Sequence, residues 1–190
     1  MNVPVEVSAR HVHLTKEDFA VLFGEGAAPT IRKALSQPGE FLSNERVDVV
    51  GPKRTLGNVA VLGPLRAFSQ VEMSMTDCKG IGVEAQVRES GDVAGSGTVT
   101  LVGPKGTLEL REGLIVAKRH VHMTSAEAEA AGLQNKQIVS VRVPGRRPLV
   151  LGDVVVRVSD KFKLAFHIDT DEANAAGADI DGLCGEIIPQ

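Results

Sequence analysis

At 190 residues, 43% of them apolar, the chain is long enough for one or two domains with cores of their own. Its formal net charge of -3 contains no block of like charge, which excludes a basic nucleic-acid binder or a polybasic membrane anchor, and no run of about 18 apolar residues is present to span a bilayer as a helix. Two cysteines, Cys78 and Cys184, are too few for a zinc-cysteine cluster or a disulfide framework and read as idle thiols.

Met1-Asn2-Val3-Pro4-Val5 lacks the basic and apolar regions of a secretory signal, so the expected compartment is the cytoplasm. Val3, Val5, Val7 and Ala9 then alternate in phase with His11 and His13, which predicts one strand ending at a histidine pair. In extended backbone His11 and His13 share a face and Val12 takes the other. Thr15, with Asp18 three residues on, has the Thr-x-x-acid spacing of a helix start, and Gly24 is a stop signal. Residues 25–45 read as an insertion confined to the first half, with Thr30 capping a short helix through Leu35 before the Gln37-Pro38-Gly39 turn. Val47–Val50 followed by Gly51-Pro52-Lys53 predicts a strand and corner, echoed by Val99–Val102 and Gly103-Pro104-Lys105. Val87–Asp92 and Gly95-Ser96-Gly97 read as a loop between strands.

The opening grammar then returns. Arg119-His120-Val121-His122-Met123-Thr124 repeats Arg10-His11-Val12-His13-Leu14-Thr15, so four of the five histidines sit in two identical Arg-His-Val-His copies. Thr124 with Glu127 again marks a helix start, and Gly132 its end. Arg142–Pro148 is a basic hairpin turn. A second repeat relates Leu56-Gly57-Asn58-Val59-Ala60-Val61 to Leu151-Gly152-Asp153-Val154-Val155-Val156, an offset of 95 residues. The same offset carries Arg66 to Lys161 and Glu72 to His167, the fifth histidine. After His167, Asp169-Thr170-Asp171-Glu172 reads as an acidic helix start.

Each half thus supplies a His-x-His pair and one further donor. His11, His13 and Glu72 form one set; His120, His122 and His167 form the other. Three nitrogen and oxygen donors leave a fourth position open, as in catalytic rather than structural zinc. Arg66, with its planar fork, is the natural holder of a phosphate or carboxylate beside such a site. The set with Glu72 carries a negative charge that the all-histidine set lacks, so the latter is expected to make its ion the stronger Lewis acid.

Taken together, Arg-His-Val-His-Leu-Thr, Gly-Pro-Lys-Arg-Thr-Leu-Gly-Asn-Val, Leu-Gly-Pro-Leu-Arg, Ser-Gln-Val-Glu, Arg-His-Val-His-Met-Thr and His-Ile-Asp-Thr-Asp-Glu-Ala-Asn resemble the PduL-type phosphate acyltransferases, or phosphate propanoyltransferases. The resemblance runs over nearly the whole chain. It implies a mainly β protein of two small barrels capped by short helices, with the first strand joining the C-terminal barrel, so that residues 1–9 plus 117–190 form one domain and 10–116 the other. It implies a site for two divalent ions, most often zinc, where the barrels meet. His11, His13 and Glu72 would bind one ion and His120, His122 and His167 the other. Arg66 falls where the family holds phosphate, and Ser90 beside the active site.

The implied reaction is acyl-CoA plus orthophosphate giving acyl phosphate plus CoA, and its reverse, with acetyl or propanoyl as the acyl group. Small-molecule substrates are then the partners, with neither nucleic acid nor membrane, while a homo-oligomer stays open. CoA contacts are expected at Arg146, Arg147 or the Gly-Pro-Lys corners, among other places. Many relatives carry an amphipathic N-terminal extension for encapsulation in a protein-shelled microcompartment. Here the strand begins almost at Met1, so encapsulation is not expected. Met75 stands where a basic residue is common among relatives. Two competing readings are a metal-dependent thioester or other hydrolase, with water in the open positions, and a non-enzymatic metal-binding β-domain.

Overall fold

The computed structural model describes residues 1–189. In chain order its elements are β1 (Asn2–Ser8), β2 (His11–His13), α1 (Lys16–Phe23), β3 (Ile31–Ala34), β4 (Phe41–Val50), β5 (Thr55–Gly63), β6 (Gln70–Glu72), α2 (Met75–Ile81) and β7 (Val87–Arg88). These are followed by β8 (Gly97–Val102), β9 (Thr107–Ala117), β10 (His120–Met123), α3 (Ser125–Ala131), β11 (Ile138–Val143), β12 (Leu149–Val158), β13 (Ala165–Asp169), α4 (Thr170–Ala176) and β14 (Cys184–Pro189). The architecture is mainly β, as the Val-rich alternation predicts.

Two compact units result, one of Met1–Ala9 with the chain from Lys118 onward, the other of Arg10–Ala117. Ala117 ends β9 and so belongs with the preceding unit, one residue beyond the expected boundary. The unit from Lys118 closes as a barrel in the order β1-β13-β10-β12-β11-β14. The other closes in the order β4-β5-β2-β6-β9-β8, with β8 returning to β4, while β3 extends β4 and β7 extends β9.

The strand orders correspond one to one, and so do the directions. The histidine strand is parallel to β5 in one barrel and to β12 in the other, and antiparallel to β6 and β13 respectively. The run-in strands are exchanged. β1 leads into β2 but closes the other barrel beside β13, and β9 leads into β10 but closes its own unit beside β6.

The Leu-Gly-Asx-Val repeat has a backbone cause. Between Val47/Val59 and Val49/Leu56 the β4–β5 register gains one residue on β5, and between Val139/Val154 and Val141/Leu151 the β11–β12 register does the same on β12. Asn58 and Asp153 occupy the bulges at φ 61° and 51°, the left-handed region that Asn and Asp tolerate better than other side chains. Each barrel has its own core: Val12, Phe19, Leu22, Val61, Val71, Ile81, Leu101 and Leu114 in one, and Val121, Met123, Val141, Val156, Phe166 and Ile168 in the other. A fully buried side chain of this kind contributes about 1.5–3 kcal/mol.

The helices begin as their sequences predict, with one difference in detail. Thr124 and Glu127 form a reciprocal capping box, as do Asp169 and Glu172. Thr15 accepts from the Asp18 amide, but the Asp18 carboxylate receives the Ser69 hydroxyl instead of closing a box. Three segments depart from expectation. The run expected as one strand ending at the histidine pair is broken at Ala9–Arg10 into β1 and β2, which belong to different units. Thr30 caps no helix: Ile31–Ala34 is an exposed strand paired with β4, and both the Thr30 amide and hydroxyl donate to Glu45, at 3.0 and 2.8 Å. A four-residue stretch beside the open side of β4 gains more from ladder bonds than from a single helical turn. The helix α2 had no counterpart in the sequence reading, although Ser74 accepts from the Asp77 amide in the same Ser-x-x-acid pattern.

Candidate metal centres

The two histidine strands are short, and register places a third donor beside each. His11 lies directly across from Glu72, and His120 directly across from His167. Directly opposed residues on antiparallel strands project to the same face, while Val12, Val71, Val121 and Phe166 point the other way into the cores. The offset of 95 residues is therefore also a structural one: His11 pairs with Ala60 and His120 with Val155 on the parallel side.

The rings converge more than a flat strand would allow. His11 and His13 ring centroids lie 4.9 Å apart, and those of His120 and His122 4.6 Å, against roughly 7 Å along an ideal strand face. His167 stands 5.0 Å from His120 and 4.8 Å from His122. Glu72 carboxylate oxygens lie 3.5 Å from His11 Nε2 and 4.0 Å from His13 Nε2. In each trio one donor atom per residue falls within 4.8 Å of the others.

Burial and missing partners test whether these sets suit a cation. His13 Nδ1 and both ring nitrogens of His122 are buried without a hydrogen-bond partner. A buried polar nitrogen left unpaired is costly, and coordination of an ion is one way to satisfy it. Burial, with His11 and Arg66 nearby, holds the His13 pKa well below the usual imidazole range. Burial, with His120, His167 and Arg157 nearby, lowers that of His122 to about 2. Phe162 stacks on the His122 ring at 3.9 Å, and Arg157 lies over Phe162. Both imidazoles are thus neutral, the form that binds metal. The donor sets fit a divalent ion such as zinc.

Neighbours that sequence reasoning missed orient the donors. His120 Nδ1 lies 2.8 Å from the Lys118 carbonyl, which assigns the proton to Nδ1 and the lone pair to Nε2. Gln70, wholly buried, donates to Glu72 at 2.6 Å and to Ser90 at 3.0 Å and accepts from the Gly91 amide at 2.8 Å. Arg66 Nη1 is 3.4 Å from Ser90 Oγ, and its Nη2 donates to Glu40 at 2.9 Å. Arg66 and Ser90, both singled out from sequence, thus join through Gln70 to Glu72. Lys161, the offset partner of Arg66, is exposed in a turn.

The expected charge asymmetry is also softened. Glu6 of β1 pairs in register with His167, and its carboxylate lies 3.7 Å from His167 Nδ1. In the other barrel the corresponding pairing is Glu72 with Ile115. Each set therefore has one nearby carboxylate, within the donor trio in one case and beside it in the other. Of the CoA-contact candidates, Arg146 faces Asp179 at 3.6 Å on an exposed turn. Cys78 is buried and Cys184 exposed, neither in a disulfide and both outside the donor sets. No helix among the described residues is long and apolar enough to cross a membrane.

A family model described as phosphate propanoyltransferase matches residues 4–179. A phosphate propanoyltransferase of Listeria monocytogenes is 50% identical over 186 residues, covering 98% of this chain and 87% of the relative. Those of Clostridioides difficile and Thermotoga maritima are each 50% identical, covering 92% and 90% of this chain and 84% and 82% of theirs. On this similarity the chain belongs to the phosphate propanoyltransferase family of phosphate acyltransferases.

Proposed function

We propose that the protein interconverts a short-chain acyl-CoA, propanoyl-CoA or acetyl-CoA, and orthophosphate with acyl phosphate and CoA, with His11, His13 and Glu72 holding one divalent ion and His120, His122 and His167 a second. The observation that carries the metal part is the pair of three-donor clusters with buried, unpartnered imidazole nitrogens. Ions of the zinc type, bound by three protein donors, supply an open Lewis-acid position.

The chain's own groups account for anion holding and orientation. Arg66 presents its fork to phosphate; Glu40 holds that fork in place before substrate arrives, and Ser90 borders it. Gln70 fixes the Glu72 carboxylate by donating to it. In the forward direction a phosphate oxygen attacks the thioester carbonyl carbon, a C–O bond forms, the C–S bond breaks, and the electron pair leaves with the CoA thiolate, which takes a proton from solvent. Direct transfer requires no acyl-enzyme intermediate, and orientation of the two substrates supplies much of the rate. The reading carries with it a cytoplasmic location, where CoA thioesters circulate.

The test is CoA release from acetyl-, propanoyl- and butanoyl-CoA, with and without phosphate and with and without bound metal. The expected result is release that requires both. Thiol release independent of phosphate would indicate a hydrolase, and full activity and stability with near-zero metal content would refute the di-metal site.

A further inference from the structure

The arginine that precedes each histidine pair makes the same contact in both barrels. Arg10 Nε donates to Asp77 Oδ2 at 2.8 Å, and Arg119 Nη1 donates to Glu172 Oε1 at 3.0 Å. The two acids differ in length but hold one position. Asp77 is five residues after Glu72, and Glu172 five after His167; each is the third residue of the helix that follows, with its amide bound by the helix's N-cap side chain, Ser74 or Asp169. The carboxylates are largely buried, at 9% and 20% side-chain exposure, so these are not ordinary exposed ion pairs of small consequence.

The geometry has a mechanical meaning. The first histidine of each trio is the residue after the arginine, and the third donor stands opposite it on the neighbouring strand. An ion pair from the arginine to the helix that continues that neighbouring strand fastens the entry of the histidine strand to the exit of the third-donor strand. Backbone pairing alone fixes Cα register, but the ring-to-donor separation also depends on strand twist and tilt at these short ladders of three residue pairs.

We propose that Arg10 and Arg119 are positioning residues, each locked to its helix acid, Asp77 or Glu172, so that the three donors of its own trio are held at ion-binding separation. The inference rests on the di-metal reading given above. Removal of one arginine weakens retention at one trio and leaves the other unchanged. Loss of a group hydrogen-bonded directly to a ligand commonly costs about 10–100-fold in metal affinity, and an ion pair that acts one residue removed from the ligand is expected at the lower end, about 10-fold.

The experiment uses the full chain loaded with Co(II), with chelator competition followed by the visible absorption of the bound ion. The parent is expected to hold two equivalents with a four-coordinate absorption band. In Arg10→Gln, and separately in Arg119→Gln, one equivalent is released at about 10-fold or more lower chelator concentration, with a changed band, while the second follows the parent. The double variant Arg10→Met/Asp77→Leu separates positioning from general stabilisation. It removes the uncompensated buried acid, so metal-free thermal stability recovers relative to Arg10→Met alone, yet the weak equivalent stays weak.

An affinity in the single variants within twofold of the parent would overturn the role, as would an equal loss at both equivalents or a recovery of affinity along with stability in the double variant. Two bound equivalents in the parent with unchanged variants would sink the positioning role and leave the di-metal reading intact. A parent that binds none would sink both.

Discussion

Acidification of the metal-free protein is the perturbation with the most direct link to the histidine trios. His13 and His122 are buried, and their folded pKa values lie below the unfolded reference of 6.5, well below for His13 and at about 2 for His122. An imidazole depressed in this way binds its proton more readily in the unfolded chain. Its contribution to stability is complete above the unfolded value and is lost as pH falls below it. A ring that stays neutral in the folded chain costs about 1.4 kcal/mol per pH unit below the unfolded value, so lowering pH from 7.5 to 5 removes roughly 2 kcal/mol at His122, and His13 adds a loss in the same direction. Asp169 and Glu172, raised chiefly by burial, act with the opposite sign, favouring the folded state as pH falls into the carboxylate range. The window above pH 5 therefore isolates the histidines best. The chain has neither Trp nor Tyr, so urea unfolding is followed by far-ultraviolet circular dichroism. The expected result is a fall of stability on acidification in chelator-treated protein, smaller in His13→Asn and in His122→Asn than in the parent. Unchanged stability between pH 7.5 and 5 would refute the argument, because it would mean that both rings take up protons in the folded state as freely as in the unfolded one.

Arg66→Ala is expected to raise the phosphate KM or lower kcat by about tenfold or more, and Arg66→Lys to restore little because an ammonium lacks the planar fork; steady-state kinetics at varied phosphate decide this. Gln70→Leu strips Glu72 of a donor and leaves the Gly91 amide unpaired, with an expected loss of about 1–3 kcal/mol in denaturant unfolding and weaker retention of one metal equivalent. At the bulges, Asn58→Val or Asp153→Val should cost about 1–2 kcal/mol, lowering Tm by a few degrees, while Asn58→Gly should cost much less; equal effects of Val and Gly would contradict the left-handed backbone as the cause.

The donor trios were legible because alternation along a strand and a repeat at fixed offset are both carried by the order of residues alone, and the barrels turn them into register: Glu72 opposite His11, His167 opposite His120. That each histidine pair serves one ion was expected from the sequence; the ring separations of 4.9 and 4.6 Å, shorter than the spacing of a flat strand face, were not legible in it. Neither were the contacts of Glu6, Asp77 and Glu172, because each joins segments distant in sequence; Gln70 to Glu72 is the exception, an i, i+2 contact on one face of β6 that strand alternation could have suggested. Glu6 meets His167 only because β1 crosses to the barrel made by the C-terminal half. The helix α2 carried the same Ser-x-x-acid signal as the recognised helices but, at seven residues with Gly80 inside it, offered no apolar period to draw attention. Thr30 misleads for the complementary reason: its capping chemistry is spent on Glu45, a partner fifteen residues away.

The exchange of β1 and β9 has a consequence for the order in which the molecule can be made. During synthesis the unit Arg10–Ala117 has all six of its barrel strands once β9 has emerged, whereas β1, already present, has no ladder to join until β13 and β14 are translated. The earliest strand must wait for the last. A ribosome that stops short of Ala165 would release a chain with one closed barrel and an unsatisfied strand bearing Val3, Val5 and Val7, an invitation to pair with another chain. Completion of the C terminus thus retires an aggregation hazard at the N terminus.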